Sequence, residues 1–335
     1  MKLTRQQAIE FIIKRLMSLD VSQEDAEKTS EVLIEAELRE DPSHGISCLP
    51  NILKSIKSGE IKPDKKPSII SESNATAILD GEHILGPVSG ISAANLAIKK
   101  AKEYGISAIS IRKSHHLFTL GYYTKTIALN NLIGILTTNT APAMFAPGSI
   151  EKILGTNPFS IGIPAEQNPI VIDMSSSETA RGKIKEAAKK GDKIPLNWAL
   201  DREGKPTDNP EEALSGSLQP IGGHKGFALA LAIDILSGIL SGSASGKEVS
   251  GTSMHMDASD KEISQKGDLV IAIDISKFTD INSFKSRVSS LVKDIKNSKR
   301  IEGIKEIYIP GEKAYRNKDK LIEIDDNLYK EISEY

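Results

Sequence analysis

Two adjacent histidines, His115 and His116, follow a short apolar stretch in which Ile106, Ile109 and Ile111 are interleaved with Ala108 and serines. That stretch reads as a strand and ends in Arg112, Lys113 and Ser114. A strand end is a rigid mount that aims side chains into a crevice. Imidazole titrates near neutral pH, which makes His116 the first candidate for a general acid or base. The competing reading is a strand-end histidine that is only hydrogen-bonded. His44, in the polar corner Ser43-His44-Gly45, reads first as a turn or capping histidine. Asp173-Met174-Ser175-Ser176-Ser177 follows the apolar Ile170-Val171-Ile172 and leads to Arg181-Gly182-Lys183. Small hydroxyl residues and backbone N–H groups at such a junction suit phosphate oxygens, with Lys183 adding charge. An N-cap with a solvated basic face explains the same residues. Gly222-Gly223-His224-Lys225, before a long apolar helix, is a second anion candidate, or a pair of glycines that let the chain turn. The two histidines point in different directions, and no Cys-x-x-Cys or His-Glu-x-x-His is present, so no metal site is expected.

The chain around these residues is ordinary in composition. At 335 residues it should hold two or three subdomains. A net charge of −2 argues against nucleic acid or an anionic membrane as partner. The longest apolar run, near Phe227, is broken by Asp234, so no membrane span is expected. Met1 to Gln7 has no apolar signal core, and the single cysteine, Cys48, excludes an intrachain disulfide; the cytoplasm is the expected compartment.

The elements that must position the candidates can be read in turn. Thr4 with Gln7 forms a capping box before a helix whose inner face is Ile9, Ile12, Ile13, Leu16 and Met17. Ser22 with Asp25 starts a second helix, which runs out near Pro42 and Gly45; a third follows Pro50. Residues 68–71 and 76–79 form an antiparallel pair, and Pro87 opens a helix ending at Gly105. Strands are expected at 133–138, 159–163, 170–172, 269–275 and 304–309, and an amphipathic helix at 281–295. No Gly-x-Gly-x-x-Gly follows a strand, which argues against the standard dinucleotide fold.

Taken together, the motifs resemble the malate/L-lactate dehydrogenase-like family, which includes L-sulfolactate and ureidoglycolate dehydrogenases and cyclic-imine carboxylate reductases. The resemblance is carried by Leu38-Arg39 with Ser43-His44-Gly45, Ser114 to His116 with Gly121-Tyr122-Tyr123, and Thr138-Asn139-Thr140 with Ala146-Pro147-Gly148. Leu154-Gly155-Thr156-Asn157-Pro158, Asp173 with Ser176, Gly222 to Gly226, and Pro310-Gly311-Glu312 complete it in order over nearly the full length. It implies an α+β (mixed α/β), non-Rossmann fold of the L-sulfolactate dehydrogenase type with a largely antiparallel cofactor-binding sheet. Three parts are implied. A helical unit, 1–75, packs with 300–335. A central domain, 76–120, joins part of 270–310 and carries the catalytic histidine. An NAD(P)-binding domain covers 121–270. The implied protein is a homodimeric oxidoreductase using NAD or NADP on a small 2-oxo or 2-hydroxy carboxylic acid. The resemblance makes His116 the acid/base, with His44 in the same cleft, and puts Ser43, Cys48, Arg39 and Tyr123 against the substrate. It assigns the cofactor to Thr140, Asp173, Met174, Ser175, Ser176, Lys183, His224, Lys225, Pro310, Gly311 and Glu312.

Three positions depart from the family pattern. Pro42 stands where an aspartate often precedes Ser-His-Gly, and His115-His116-Leu117-Phe118 replaces Asn-His-Phe-Gly. Cys48 stands where an arginine would clamp the substrate carboxylate. Arg39 and Arg112 are the nearest cations that could take over. A cyclic imine carboxylate substrate and a cofactor-binding paralogue with lost turnover are therefore alternatives to a 2-hydroxy acid dehydrogenase.

Overall fold

The computed structural model describes residues 1–250 and 263–335. The chain opens with β1 (Lys2–Leu3) and three helices, α1 (Arg5–Met17), α2 (Gln23–Leu38) and α3 (Leu49–Lys57). Thr4 and Gln7 make the reciprocal capping box, and Ser22 caps α2 through the Asp25 amide. Then follow β2 (Ser68–Glu72), β3 (Thr76–Asp80), α4 (Gly86–Tyr104), β4 (Ile106–Ser114), α5 (Gly121–Leu129) and β5 (Leu132–Thr138). The middle of the chain contributes β6 (Met144–Phe145), β7 (Lys152–Leu154), β8 (Phe159–Ile163), β9 (Ile170–Met174), α6 (Arg181–Lys190), β10 (Ala199–Leu200), α7 (Pro210–Ser215), β11 (Ser217–Leu218) and α8 (His224–Asp234). After it come β12 (Lys266–Asp274), α9 (Ile281–Asn297), α10 (Glu312–Arg316), β13 (Ile322–Glu323) and α11 (Asp326–Ser333).

The main sheet has the order β2-β3-β4-β12-β5-β8-β9. Only β3 and β4 run parallel; the other neighbouring strands are antiparallel. β12 therefore lies between β4 and β5, and the chemistry-bearing loops leave the ends of those two strands. A smaller sheet, β10-β11-β6-β7, stands apart, and β1 pairs with β13 so that the two ends of the described chain meet.

Two apolar cores hold these layers. The first joins α1 to α5 with the inner faces of β3, β4, β5 and β12 and with Ile322, Ile324 and Ile332 from the far end. The second is smaller and packs Met144, Leu154, Ile184, Ala199, Leu218 and Ala230. Burial of this kind contributes about 25 cal/mol per Å² of apolar surface.

One expected strand is corrected. Residues 304–309 are irregular, with Ile304 and Tyr308 more than half exposed. Alternating apolar residues make a strand only beside an edge that can pair with them. Here β9 bonds the residue that follows the segment, through the Val171 amide on the Pro310 carbonyl at 3.2 Å. The segment is instead tied by the ion pair of Arg316 with Glu306 and by the Ile309 N–H on Glu312 Oε2 at 3.2 Å.

Candidate active site

The end of α2, the loops after β4, β5 and β9, and residues 308–314 surround one cavity of about 750 Å³. Its walls bring together Arg39, Ser43, His44, His116, Thr140, Asp173, Met174, Ser175, Pro310, Gly311 and Glu312 among the sequence candidates.

His44 sits in a short 3-10 turn, Pro42–His44, directly after α2. Its Nδ1 lies 2.9 Å from Asp41 Oδ2, and Ser43 Oγ donates to Asp41 Oδ1 at 2.6 Å. Burial works to raise the Asp41 pKa, but hydrogen bonds and charge from His44, with Ser43 and Lys183, outweigh it and hold the carboxyl at about 2. For His44, burial favours the neutral ring, yet Asp41 and the charge of Asp173 overcome this and raise its pKa. Asp41 is thus an ionised partner that fixes the Nδ1–H tautomer and directs Nε2 away from itself, the arrangement of an oriented acid/base histidine.

His116 stacks on His44, with ring centroids 5.6 Å apart, and meets the edge of Phe118 at 4.7 Å. Its Nδ1 accepts the Phe118 backbone N–H at 3.0 Å. An N–H donor on Nδ1 requires a lone pair there, so the ring carries its proton on Nε2 and acts as a donor. The backbone that presents it is strained on both sides: Lys113 has φ +48° and Phe118 φ +58°. Left-handed backbone at residues of this size costs about 1–3 kcal/mol and gathers at functional sites. Gly86, at the start of α4, lets the histidines approach. A Cβ there would lie 1.9 Å from the His116 carbonyl oxygen and 2.9 Å from that of His115.

Asp173 closes the opposite side. Its Oδ2 accepts Thr119 Oγ1–H at 2.9 Å and the Gly121 N–H at 2.6 Å. Burial raises its pKa against the opposing charge of Arg39 and these two donors. Arg39 lines the cavity, with its Nε 3.2 Å from Glu35 Oε1. The guanidinium lies so close to Gly121 that a Cβ there would come within 2.6–2.7 Å of its carbon and both terminal nitrogens. Glu37 sits behind the turn, accepts the Ile46 N–H at 2.8 Å, and is pushed up to about 6 by burial.

Several candidates lie elsewhere. Tyr123 is fully buried and donates to the Leu117 carbonyl at 2.8 Å; this corrects its expected contact with substrate. Cys48 belongs to the first core and does not line the cavity. Its Sγ donates to the Ser43 carbonyl at 3.1 Å, and burial pushes its thiol up to about 12. Ser176 is buried and bonded to the Thr156 carbonyl, tying two loops together behind the wall. Arg112 pairs with Asp80, away from the cavity. Lys183, His224 and Lys225 are exposed and outside the lining; the turn before His224 is joined to the serine loop by the Ile221 N–H on the Ser176 carbonyl.

Sequence reasoning passed over Asp41 and Arg181. The signal for Asp41 was its place three residues before His44 in a turn-forming stretch. Arg181 and Gly182 open α6 at the cavity wall, and the N-cap residue Ala180 supplies no side-chain acceptor to that helix start. Among the described residues no group of three or more histidine, cysteine or acidic side chains could hold a metal, and no helix is long and apolar enough to cross a membrane.

Comparison with known proteins agrees with this architecture. A sequence profile of the malate/L-lactate dehydrogenase family matches residues 3–333. An L-sulfolactate dehydrogenase of Methanocaldococcus jannaschii is 44% identical over 327 residues, covering 97% of this chain and 93% of that protein. A malate/(S)-sulfolactate dehydrogenase of Methanothermus fervidus is 42% identical over 328 residues, covering 97% and 94%. The solved sulfolactate dehydrogenase of M. jannaschii superposes with a TM-score of 0.92 at 43% identity, covering all of this chain and 96% of that one. The chain belongs to the malate/L-lactate dehydrogenase family. It is accordingly an oxidoreductase of the kind that acts on CH–OH groups.

Proposed function

We propose that this chain reduces a small 2-oxo acid, or oxidises the matching 2-hydroxy acid, with NAD or NADP, and that His44 carries the proton. The observation that carries this reading is the Asp41–His44 pair stacked on His116 in one cavity. His116, the first candidate from sequence, is given a different part. Its Nδ1 is occupied by the Phe118 amide, so its Nε2–H donates a hydrogen bond to the substrate oxygen without exchanging the proton. His44, backed by an ionised Asp41, gives up or takes the proton.

The wall suits a dinucleotide. Backbone donors at the uncapped start of α6, the hydroxyls of Thr140, Thr156 and Ser175, the exposed Lys183 next to Gly182, and the exposed His224 and Lys225 after the turn bonded to Ser176 are the N–H, O–H and cationic partners for a diphosphate. The Pro310-Gly311-Glu312 turn lines the same cavity. When bound, the nicotinamide supplies the hydride exchanged with the substrate carbon. Arg39 takes the substrate carboxylate in place of the arginine missing at Cys48, since it is the former clamp candidate that reaches the cavity.

The relatives named for sulfolactate and malate favour an acid with a second anionic group. Antiparallel pairing around β12 supports a cofactor fold other than the Rossmann arrangement. A three-part division at 1–75, 76–120 and 121–270 is our reading of the domains; residues 251–262 of the last part lie outside the described residues, and the second core supports it. An exposed apolar stripe along Leu231, Ile235, Leu236 and Ile239 supports a homodimer. A single, buried cysteine is in keeping with the cytoplasm.

The test is loss of reduced-nicotinamide absorbance with NADH and with NADPH against sulfopyruvate, oxaloacetate, pyruvate and cyclic imine carboxylates. Turnover of a dianionic 2-oxo acid is the expected result. Oxidation of neither cofactor by any of these acids would sink the reading.

A further inference from the structure

Below the histidines lies a lysine that no step above uses. Lys266 opens β12 and is 1% exposed. Its Nζ donates to Thr138 Oγ1 at 3.0 Å, to Ser114 Oγ at 3.3 Å, and to Asp268 Oδ1. Asp268 is fully buried, and its Oδ2 has no hydrogen-bond partner among the described residues.

The two hydroxyls are not arbitrary ones. Ser114 is the last residue of β4 and Thr138 the last of β5, the two strands that flank β12. β4 runs straight on into His115 and His116, and β5 into Asn139 and Thr140. Ser114 Oγ donates onward to the His115 carbonyl at 3.1 Å, so a chain of bonds leads from Asp268 through Lys266 and Ser114 to the peptide unit that carries His116.

The register changes at the same place. Lys266 faces Ser114, but Asp268 faces Ile111, so β4 holds one residue more than β12 across this step. That extra residue is taken up as a bulge, with Lys113 at φ +48°. A bulge bends its strand and re-aims the side chains that follow, and an unpinned bulge can slip.

We propose that the buried Lys266–Asp268 pair is a positioning latch, which ties the bulged end of β4 to the end of β5 and so sets where His116 stands against the Thr140 side of the cavity. The inference rests on the reading of His116 as a site residue. Stability alone is a poor reason for such a pair. Desolvating two charges offsets most of their attraction, and well-packed apolar residues commonly replace buried ion pairs at no loss. A sheet centre that needed only cohesion would be served by continuing the Leu269-Val270-Ile271 pattern back to residue 266.

The experiment separates cohesion from positioning. One variant carries Lys266→Met with Asp268→Leu, which removes both charges and keeps the volume. A second carries Ser114→Ala with Thr138→Val, which leaves the ion pair but cuts its two anchors. The readout is the ring-nitrogen NMR spectrum of His116 in protein labelled with ¹⁵N-histidine, assigned through His116→Gln, together with Tm, kcat and KM. The expected result is Tm at or above wild type for the first variant, displaced His116 ring resonances in both, and kcat lower by about tenfold or more with KM within about threefold. Folded variants whose His116 resonances superimpose on wild type overturn the latch. If the first variant does not fold, the second decides alone by the same criterion. Because the spectrum needs no turnover, a wild-type protein inactive on every acid would overturn the proposed function and still leave the latch decided.

Discussion

His44→Ala is expected to lower kcat by about a hundredfold to ten-thousandfold, the range for removing a positioned acid/base. Cofactor affinity should remain. His116→Ala should cost less, because it removes a hydrogen-bond donor to the reacting oxygen and not the proton carrier, and Asp41→Asn should reproduce much of the His44 defect by freeing the ring. The check is kcat for the three variants beside cofactor affinity from titration calorimetry. A His44→Ala protein that turns over at the wild-type rate, with His116→Ala inactive, would reverse the two roles. The pH profile carries the same assignment. His44 has a folded pKa raised above 6.5, so its protonated form is favoured by folding. Its contribution to stability is fully present below 6.5 and lost as pH rises through the folded value. Asp41 is depressed from 3.8 to about 2, so its contribution is present above 3.8 and lost as pH falls through about 2. Reduction, which consumes the His44 proton, should hold its rate past pH 6.5 and fall only as pH rises through the raised folded value, while oxidation should rise over that same interval.

The second large effect is expected at Arg39. Arg39→Met should raise KM for the 2-oxo acid by roughly a hundredfold, since a charge-assisted, two-pronged contact contributes about 2–3 kcal/mol. Arg39→Lys should recover little of this, because an ammonium cannot present the planar fork that Gly121 makes room for. Glu35 keeps a partner in either variant, as Lys125 Nζ lies 2.9 Å from its other oxygen, so the fold should survive. Steady-state kinetics on the folded variants decide it; KM within about twofold of wild type would place the clamp elsewhere.

Much of the frame was legible in the sequence for reasons of local chemistry. The capping box at Thr4, the stop at Gly105, and the apolar runs that became β5, β8, β9 and β12 depend on near neighbours. The histidine corner at residues 43–45 and the pair at 115–116 were legible as candidates because ionisable side chains at element ends are aimed into crevices. What could not be read was long-range. Whether 304–309 pairs depends on β9 having room at its edge. Whether Tyr123 faces substrate or core depends on how α5 is rotated against the sheet. Lys266 and Asp268 fall just before the strand expected at 269–275, and only β4 and β5 closing on either side turn them into a buried pair. The proposed division of labour between His44 and His116 rests on two hydrogen bonds at Nδ1 atoms, one donated by His44 to a carboxylate and one accepted by His116 from an amide, and neither is encoded by the histidines themselves.

The cavity also bears on how the molecule assembles. Arg39 and Lys313 line the same wall, although nearly the whole chain lies between them. Contacts of such wide separation form only after a long loop has been closed, which is the slow part of folding. The N-terminal helices can gather early around local contacts, but the site cannot exist until residues 308–314 have docked. In refolding, catalytic competence should therefore trail the return of helical circular dichroism, and simultaneous recovery would mean that the last wall is not rate-limiting.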